Sequence, residues 1–154
     1  MKWVRSLLAV LLLSLLGCSE RESILEDNRG HQYHLSDFSG KWIIVNYWAE
    51  WCDGCQKEIQ ELNQFYHDSA GEKTLLLGVA FEQPDGLLES IRKMGIQFPV
   101  LIQDPANLWH FETSSVLPVT YIVGPDGTLQ KTLYGPQTAS HLTEILKQLQ
   151  GAVS

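Results

Sequence analysis

The sequence predicts a single α/β domain, and three observations lead to that prediction. Strand-like and helix-like segments alternate along most of the chain. The cysteine pair in Cys52-Asp53-Gly54-Cys55 stands between an apolar, β-rich segment and an amphipathic one. The residues that follow an apolar leader, 18–154, are enough for one hydrophobic core and too few for two.

The predicted elements follow from hydrophobic periodicity and turn residues. The strongest strand is Trp42–Trp48, because Ile43-Ile44-Val45 is typical of a central strand buried on both faces. A helix follows from about Asp53, with an apolar face made of Ile59, Leu62, Phe65 and Tyr66. The other predicted strands are 32–35, 74–81, 98–102, 119–123 and 128–134; the other helices are 84–94, opened by Pro84 and ended by Gly95, and 140–149, with a helical turn at 107–112.

A strand, a Cys-x-x-Cys pair and a helix, in that order, suit a redox dithiol. The helix start supplies free backbone N–H groups and the positive end of the helix dipole, which stabilise a thiolate on the first cysteine. Two intervening residues let the second cysteine close a disulfide on the first. We therefore predict that Cys52 is the attacking thiol and Cys55 the resolving one.

A lone Cys-x-x-Cys pair can also be half of a zinc site. Structural zinc needs four ligands, usually two cysteine pairs or one pair with two histidines. This sequence has no second pair, and its histidines are scattered along the chain, at positions 31, 34, 67, 110 and 141. The context favours redox chemistry, and we predict no metal site and no organic cofactor.

The first residues have the features of an export signal. Lys2 and Arg5 precede the apolar run Leu7–Leu16, which is shorter than the ~20 residues that a membrane-spanning helix needs. The segment that ends in Gly17-Cys18 resembles the bacterial lipobox, in which the cysteine becomes the lipid-bearing N-terminus. We predict a lipoprotein signal peptide at 1–17, a lipidated tether at 18–28 and the folded domain at 29–154. The alternative is ordinary cleavage near Gly17, which would leave Cys18 as a free thiol.

Charge excludes some partners. Without Lys2 and Arg5, 9 of the 11 basic residues remain against 18 acidic ones, so the formal net charge changes from −7 to −9. Such a chain is poorly suited to nucleic acid or to anionic lipid. We expect the lipid on Cys18, and no basic surface, to hold the protein at a membrane.

Pro118 is the other informative residue, since it begins a strand-like run. Proline cannot donate a hydrogen bond within a sheet, so it belongs at the first residue of a strand, at an edge or at a bulge. A cis Leu117–Pro118 bond would expose the backbone of Leu117 at the strand edge; a trans proline that only marks the strand start is the alternative.

Several segments together resemble one family. They are Asn46–Cys55 with the following Lys57-Glu58, then Leu117-Pro118-Val119-Thr120, then Gly124-Pro125-Asp126-Gly127. Over about residues 24–150 the chain resembles the thioredoxin-fold TlpA/ResA/DsbE group of membrane-tethered thiol–disulfide oxidoreductases. The resemblance implies a thioredoxin-like fold with a central mixed sheet flanked by helices. It also implies the helix–strand insertion typical of this group, between Phe81 and Asp104.

The resemblance also implies roles for individual residues. Pro118 is expected to be cis and to face the dithiol, where the backbone of Leu117 pairs with a substrate peptide. Trp51 is expected to lie partly exposed beside the cysteines. Glu58 matches a glutamate of the TlpA/ResA group, one helical turn after the second cysteine, although a solvated surface acid is the alternative. Thioredoxin itself has a buried aspartate where this chain has Asn46.

The predicted function is thiol–disulfide exchange on exported proteins, most simply as a disulfide reductase. Glu50, Asp53 and Glu58 lie near the dithiol in sequence against the single cation Lys57, and like charge disfavours a thiolate. The resemblance implies exported protein substrates, with apocytochrome c as one example, and a membrane thiol reductase as electron donor. We expect a monomer, anchored in the cell envelope and facing the periplasm. The alternatives are a copper metallochaperone, which usually spaces its cysteines by three residues, and a disulfide-forming oxidase.

Overall fold

The computed structural model describes residues 25–69, 73–82 and 85–152 of the chain. The predicted signal peptide and Cys18 lie outside these residues. None of the described helices combines the length and the apolar character that crossing a membrane would require.

A five-stranded mixed sheet forms the centre of the domain, in the order β5-β4-β3-β6-β7. The central strand β3 is parallel to β4 and antiparallel to β6. A separate pair, β1 and β2, is antiparallel. The strands are β1 (Leu25–Glu26), β2 (Gln32–Tyr33), β3 (Trp42–Trp48), β4 (Thr74–Ala80), β5 (Val100–Leu101), β6 (Val119–Val123) and β7 (Leu129–Tyr134).

Helices cover the sheet, and each face has its own core. The helices are α1 (Leu35–Phe38), α2 (Asp53–Ser69), α3 (Leu87–Met94) and α4 (Ala139–Ala152). Every residue of β3 is buried, and successive residues point to opposite faces. Ile44 packs with α2 and α4, whereas Ile43 packs with an aromatic cluster on the other face. The buried run in the sequence was therefore a correct indicator of a central strand.

Several local predictions differ from the structure; the strand predicted at 32–35, for example, ends at Tyr33, and Leu35 begins α1. The folded domain already includes Leu25–Asn28, predicted as the end of the tether, because β1 pairs with β2 and the Asn28 N–H donates to Val100 O. Helix α3, predicted to begin at position 84, begins at Leu87, after Gly86 in the left-handed conformation. The predicted helical turn at 107–112 consists of hydrogen-bonded turns without a helix, in which the Leu108 N–H donates to Pro105 O.

The sheet brings two distant parts of the sequence to one edge. Because β3 and β6 are antiparallel, the last residues of β3 lie beside the first residues of β6, with Tyr47 opposite Val119. The cysteine pair follows β3, and Pro118 precedes β6. The inserted helix α3 and strand β5 fall between Phe81 and Asp104, as predicted.

Candidate active site

The two cysteines of the Cys-x-x-Cys pair form a disulfide, with Cα atoms 5.3 Å apart. Cys52 ends the loop that follows β3, and its N–H donates to Ala49 O. Cys55 lies in the first turn of α2, which begins at Asp53. The structure is therefore that of the oxidised protein.

The two sulfurs have different surroundings. The backbone N–H of Cys55, one of the free donors at the start of α2, donates to Cys52 Sγ at 3.1 Å. Cys52 keeps 6% of its surface exposed, and Cys55 is completely buried. A donor at the helix start favours a thiolate on Cys52 in the reduced protein, and only Cys52 is open to another molecule.

Pro118 lies against the turn between the cysteines, and the Leu117–Pro118 bond is cis, as the resemblance implied. A Cβ atom on Gly54 would lie 3.0 Å from Pro118 Cδ and 3.3 Å from Pro136 Cγ. Both distances are shorter than an ordinary carbon–carbon contact. The two prolines therefore leave room for glycine at this position and crowd any larger residue.

Glu58 is buried, with 1% of its surface exposed. The alternative interpretation, a solvated acid on the helix surface, is therefore wrong. Its Oε1 accepts from Asn46 Nδ2 at 2.7 Å, and its Oε2 accepts from the backbone N–H of Gln137 at 2.9 Å. Burial raises the pKa of Glu58 from 4.5 to about 7, against the smaller opposing effects of the Gln137 and Asn46 hydrogen bonds. This carboxyl can therefore gain or lose a proton near neutral pH.

Asn46 connects Glu58 to strand β6. Its Nδ2 also donates to Thr120 Oγ1 at 3.0 Å, across the pair in which the two residues face each other. Its Oδ1 is buried and has no hydrogen-bond partner among the described residues. A buried acceptor without a donor is unusual in a folded protein.

A second polar cluster lies on the other side of the dithiol loop. Glu50 accepts from Ser90 Oγ at 2.8 Å and forms an ion pair with Lys93, both on α3. Hydrogen bonds from Lys93 and then Ser90 lower the pKa of Glu50. Lys57 is the single cation near the dithiol in sequence, and the tertiary structure adds Lys93 of α3, which neutralises Glu50.

Trp51 is the most exposed aromatic residue of the loop, with 62% of its surface accessible. It borders a cleft of about 450 Å³ that runs between the dithiol loop, the end of β4 and α3. Trp48 also lines this cleft and is buried in the core. Leu117, half-buried, packs against both cores beside Pro118.

The predicted site residues fall into one region, apart from Cys18, which lies outside the described residues. Gln137, Thr120 and Lys93 contact this region too, and their place in it was not predicted from the sequence. A polar residue inside an apolar strand, as in Ile44-Val45-Asn46-Tyr47, was the available indication for the Asn46–Thr120 pair; nothing in the sequence marked Gln137. Within the described part of the chain, no group of three or more histidine, cysteine or acidic side chains could hold a metal ion.

Comparison with known proteins agrees with this geometry. The model of the AhpC/TSA family matches residues 21–132. The thiol–disulfide oxidoreductase ResA of Bacillus subtilis is 30% identical over 125 residues, covering 80% of this chain and 69% of that protein. The crystal structure of StoA from Bacillus subtilis superposes with a TM-score of 0.67 at 23% identity, over 83% of this chain and 98% of that one.

A third similarity comes from an exposed lipoprotein thioredoxin of Streptococcus pneumoniae. Its structure superposes with a TM-score of 0.65 at 23% identity, covering 82% of this chain and 98% of that chain. The structural similarities confirm the thioredoxin-like fold. Together with the family match and the Cys52–Cys55 disulfide, they lead to one conclusion: this chain belongs to the AhpC/TSA family and is a thiol–disulfide oxidoreductase of the ResA type.

Proposed function

We propose that the protein is a disulfide reductase that acts on exported proteins through the Cys52–Cys55 dithiol. The observation that carries this proposal is the buried Glu58, one helical turn after Cys55. An acid held at this place disfavours a neighbouring thiolate whenever it is ionised. A less stable thiolate makes the reduced form less stable, so the protein gives up its electrons more readily.

The exchange proceeds in two steps. The Cys52 thiolate attacks a sulfur of the substrate disulfide, and a mixed disulfide forms while the first substrate sulfur leaves as a thiolate. Cys55 then loses its proton and attacks Cys52 Sγ, which releases the second substrate sulfur. Two electrons pass to the substrate, and the Cys52–Cys55 disulfide present in the structure is the product.

Glu58 would handle the proton of the resolving step. Cys55 is completely buried, so water cannot readily take its proton. Glu58 lies on the same helix three residues further on, a spacing that brings side chains onto one face. With a pKa of about 7, its carboxylate can accept the Cys55 proton and pass it on after the exchange.

Three residues at the edge of the site would hold the substrate. Pro118 and the backbone of Leu117 lie beside the dithiol turn, where an extended segment could pair with the chain. Trp51 offers a large exposed ring for an apolar side chain next to the substrate cysteine. The cleft behind Trp51 has room for such a side chain.

The reduction potential tests the direction of exchange. We expect a value nearer to thioredoxin, at about −270 mV, than to strong oxidants, at about −120 mV. The protein is equilibrated with glutathione buffers, and its thiols are trapped and counted by mass spectrometry. A potential above about −180 mV would contradict the reductase proposal and favour a disulfide-forming role.

Two cysteine variants test the order of attack. Cys52→Ser should abolish the reduction of insulin, because it removes the exposed sulfur. Cys55→Ser should instead accumulate mixed disulfides, visible on non-reducing gels, because the resolving sulfur is gone. Mixed disulfides trapped by Cys52→Ser and not by Cys55→Ser would reverse the two roles.

We further propose that lipid on Cys18 anchors the protein in the cell envelope, facing the compartment that contains its substrates. The support is the charged start, the short apolar run and the Gly17-Cys18 pair in the sequence. A thiol reductase in the same membrane would return the electrons. Detergent partitioning of the wild type and of Cys18→Ala tests the anchor, and a wild type that stays in the aqueous phase would exclude it.

A further inference from the structure

The loop between β7 and α4 contacts the site at two places. Pro136 Cγ lies 3.3 Å from the position that a Cβ atom on Gly54 would take, at the turn between the cysteines. The next residue, Gln137, donates its backbone N–H to Glu58 Oε2 at 2.9 Å. A short loop therefore touches both the cysteine turn and the buried acid.

Both polar atoms of the Gln137 side-chain amide form hydrogen bonds that hold this loop in place. Its Nε2 donates to Gly135 O at 2.7 Å, within the loop itself. Its Oε1 lies 2.7 Å from Nδ1 of His141, in the first turn of α4, and since an amide oxygen can only accept, the imidazole donates. The residue is largely buried, with 5% of its surface exposed.

We propose that Gln137 is a positioning residue for Glu58: by bridging the Gly135 carbonyl and His141, it holds its own backbone N–H in line with Glu58 Oε2 and so sets the acidity of that carboxyl. The inference rests on the proposed role of Glu58 in exchange. It adds a residue, 79 positions away in sequence, that controls the proton-handling group without touching the sulfurs.

Among the groups around Glu58, the Gln137 N–H has a large part in lowering the pKa of the carboxyl. The strands contribute Asn46 and Thr120, which carry no charge. On α2, Lys57 is exposed, and Glu61 accepts the Ala139 N–H at 3.0 Å. His141 on α4 reaches Glu58 through Gln137. The Gln137 N–H is the larger of the two hydrogen bonds that lower the pKa of Glu58 against burial.

Gln137→Met tests the proposal, since methionine keeps the length and bulk of the side chain and removes both of its hydrogen bonds. The measurement is the pH titration of the Glu58 carboxyl carbon by NMR in the oxidised protein. We expect the midpoint to rise by about one pH unit, because a hydrogen bond to an ionised group, once weakened, no longer favours the carboxylate. Amide hydrogen exchange at residue 137 should become faster.

Gln148→Met is the matched control, because Gln148 is exposed on α4 and bonds Glu144 on the same helix. Its Glu58 titration should coincide with that of the wild type. His141→Ala removes a single partner from an exposed position and serves if the methionine variant does not fold; we expect a smaller rise in the same direction. A Glu58 midpoint unchanged by Gln137→Met, or by His141→Ala where that variant alone folds, would overturn the inference.

The titration also separates this inference from the proposed function, because it requires no turnover. If Glu58 titrates higher in Gln137→Met while the pH profile of insulin reduction stays the same, Gln137 positions Glu58, and the proton-handling role of Glu58 fails. If both move together, the positioning residue and the function it serves are supported at once.

Discussion

Replacing Glu58 by glutamine should raise the unfolding free energy of the oxidised protein, relative to the wild type, by more at high pH than at low pH. The pKa of Glu58 is raised by burial from 4.5 to about 7, so the folded state holds its proton more tightly than the unfolded chain does. Between these two values the folded state binds more protons. Stability is therefore full below about pH 4.5 and decreases as the pH rises through 7.

The magnitude follows from the same two values. Each pKa unit between the folded and unfolded states corresponds to about 1.36 kcal/mol. Ionisation of Glu58 should therefore cost the wild type about 3 kcal/mol of unfolding free energy at pH 8 and less than about 1 kcal/mol at pH 5. Glutamine carries no charge, so Glu58→Gln does not incur this cost at either pH.

The network can accept the amide. The new oxygen can take the Gln137 N–H, and the new amino group can donate to Asn46 Oδ1, which has no partner among the described residues, once the Asn46 side chain turns over. After this rotation the Thr120 hydroxyl donates its hydrogen to Asn46 Oδ1, whereas in the wild type it accepts one from Asn46 Nδ2. The turned-over Asn46 amide then has its amino group where Oδ1 now lacks a partner, so one end of this buried amide stays unpaired; this cost is the same at pH 5 and pH 8 and cancels in the comparison between them.

Urea unfolding of the oxidised proteins at pH 5 and pH 8 measures the effect. The difference in unfolding free energy between Glu58→Gln and the wild type should be greater at pH 8 by roughly 2 to 3 kcal/mol. Glu89→Gln, at an exposed helix position, removes the same charge without touching the buried network, and should follow the wild type at both pH values. A difference that is the same at pH 5 and pH 8 would refute the reasoning.

Two further predictions concern the residues around the dithiol. Gly54→Ala should lower the unfolding free energy by about 1 to 2 kcal/mol, because the added Cβ would lie 3.0 Å from a ring atom of Pro118. Gly151→Ala is the control: its Cβ would meet nothing within 4 Å, so the unfolding free energy should not fall in the same urea titration. Lys93→Met should make the reduction potential more negative, because it leaves the Glu50 carboxylate unpaired beside the dithiol loop, and added salt should reduce the difference. An unchanged potential in glutathione equilibration would show that this ion pair does not act on Cys52, and a less negative one would contradict the predicted sign.

The sequence was sufficient for the parts of the fold that depend on local patterns. Strands β3 and β6 have the predicted limits, 42–48 and 119–123, because continuous apolar runs mark strands buried on both faces. The Cys-x-x-Cys pair at a helix start was equally clear, since its chemistry requires that local arrangement. A short segment such as 107–112 does not determine its own structure, because a few apolar residues suit a turn as well as a helix.

The environment of Glu58 could not be predicted in the same way. The helix pattern shows which residues are polar, but it does not show which polar side chain turns inward to meet a donor. Asn46 and Gln137, which supply those donors, lie 12 and 79 positions away. The ion pair between Glu50 and Lys93 likewise depends on how α3 packs against the dithiol loop. Contacts of this kind follow from the completed tertiary structure.

The pairing of β3 with β6 also determines when, during folding, the site comes into being. The hydrogen bond from Asn46 to Thr120 joins residues 74 positions apart, and closing so large a loop costs entropy before any contact is gained. The cysteines are neighbours from the moment the chain is made, whereas the acid's partners meet only when the sheet is assembled. A chain that has not finished folding thus carries two ordinary thiols, and the tuned dithiol is a property of the native state alone.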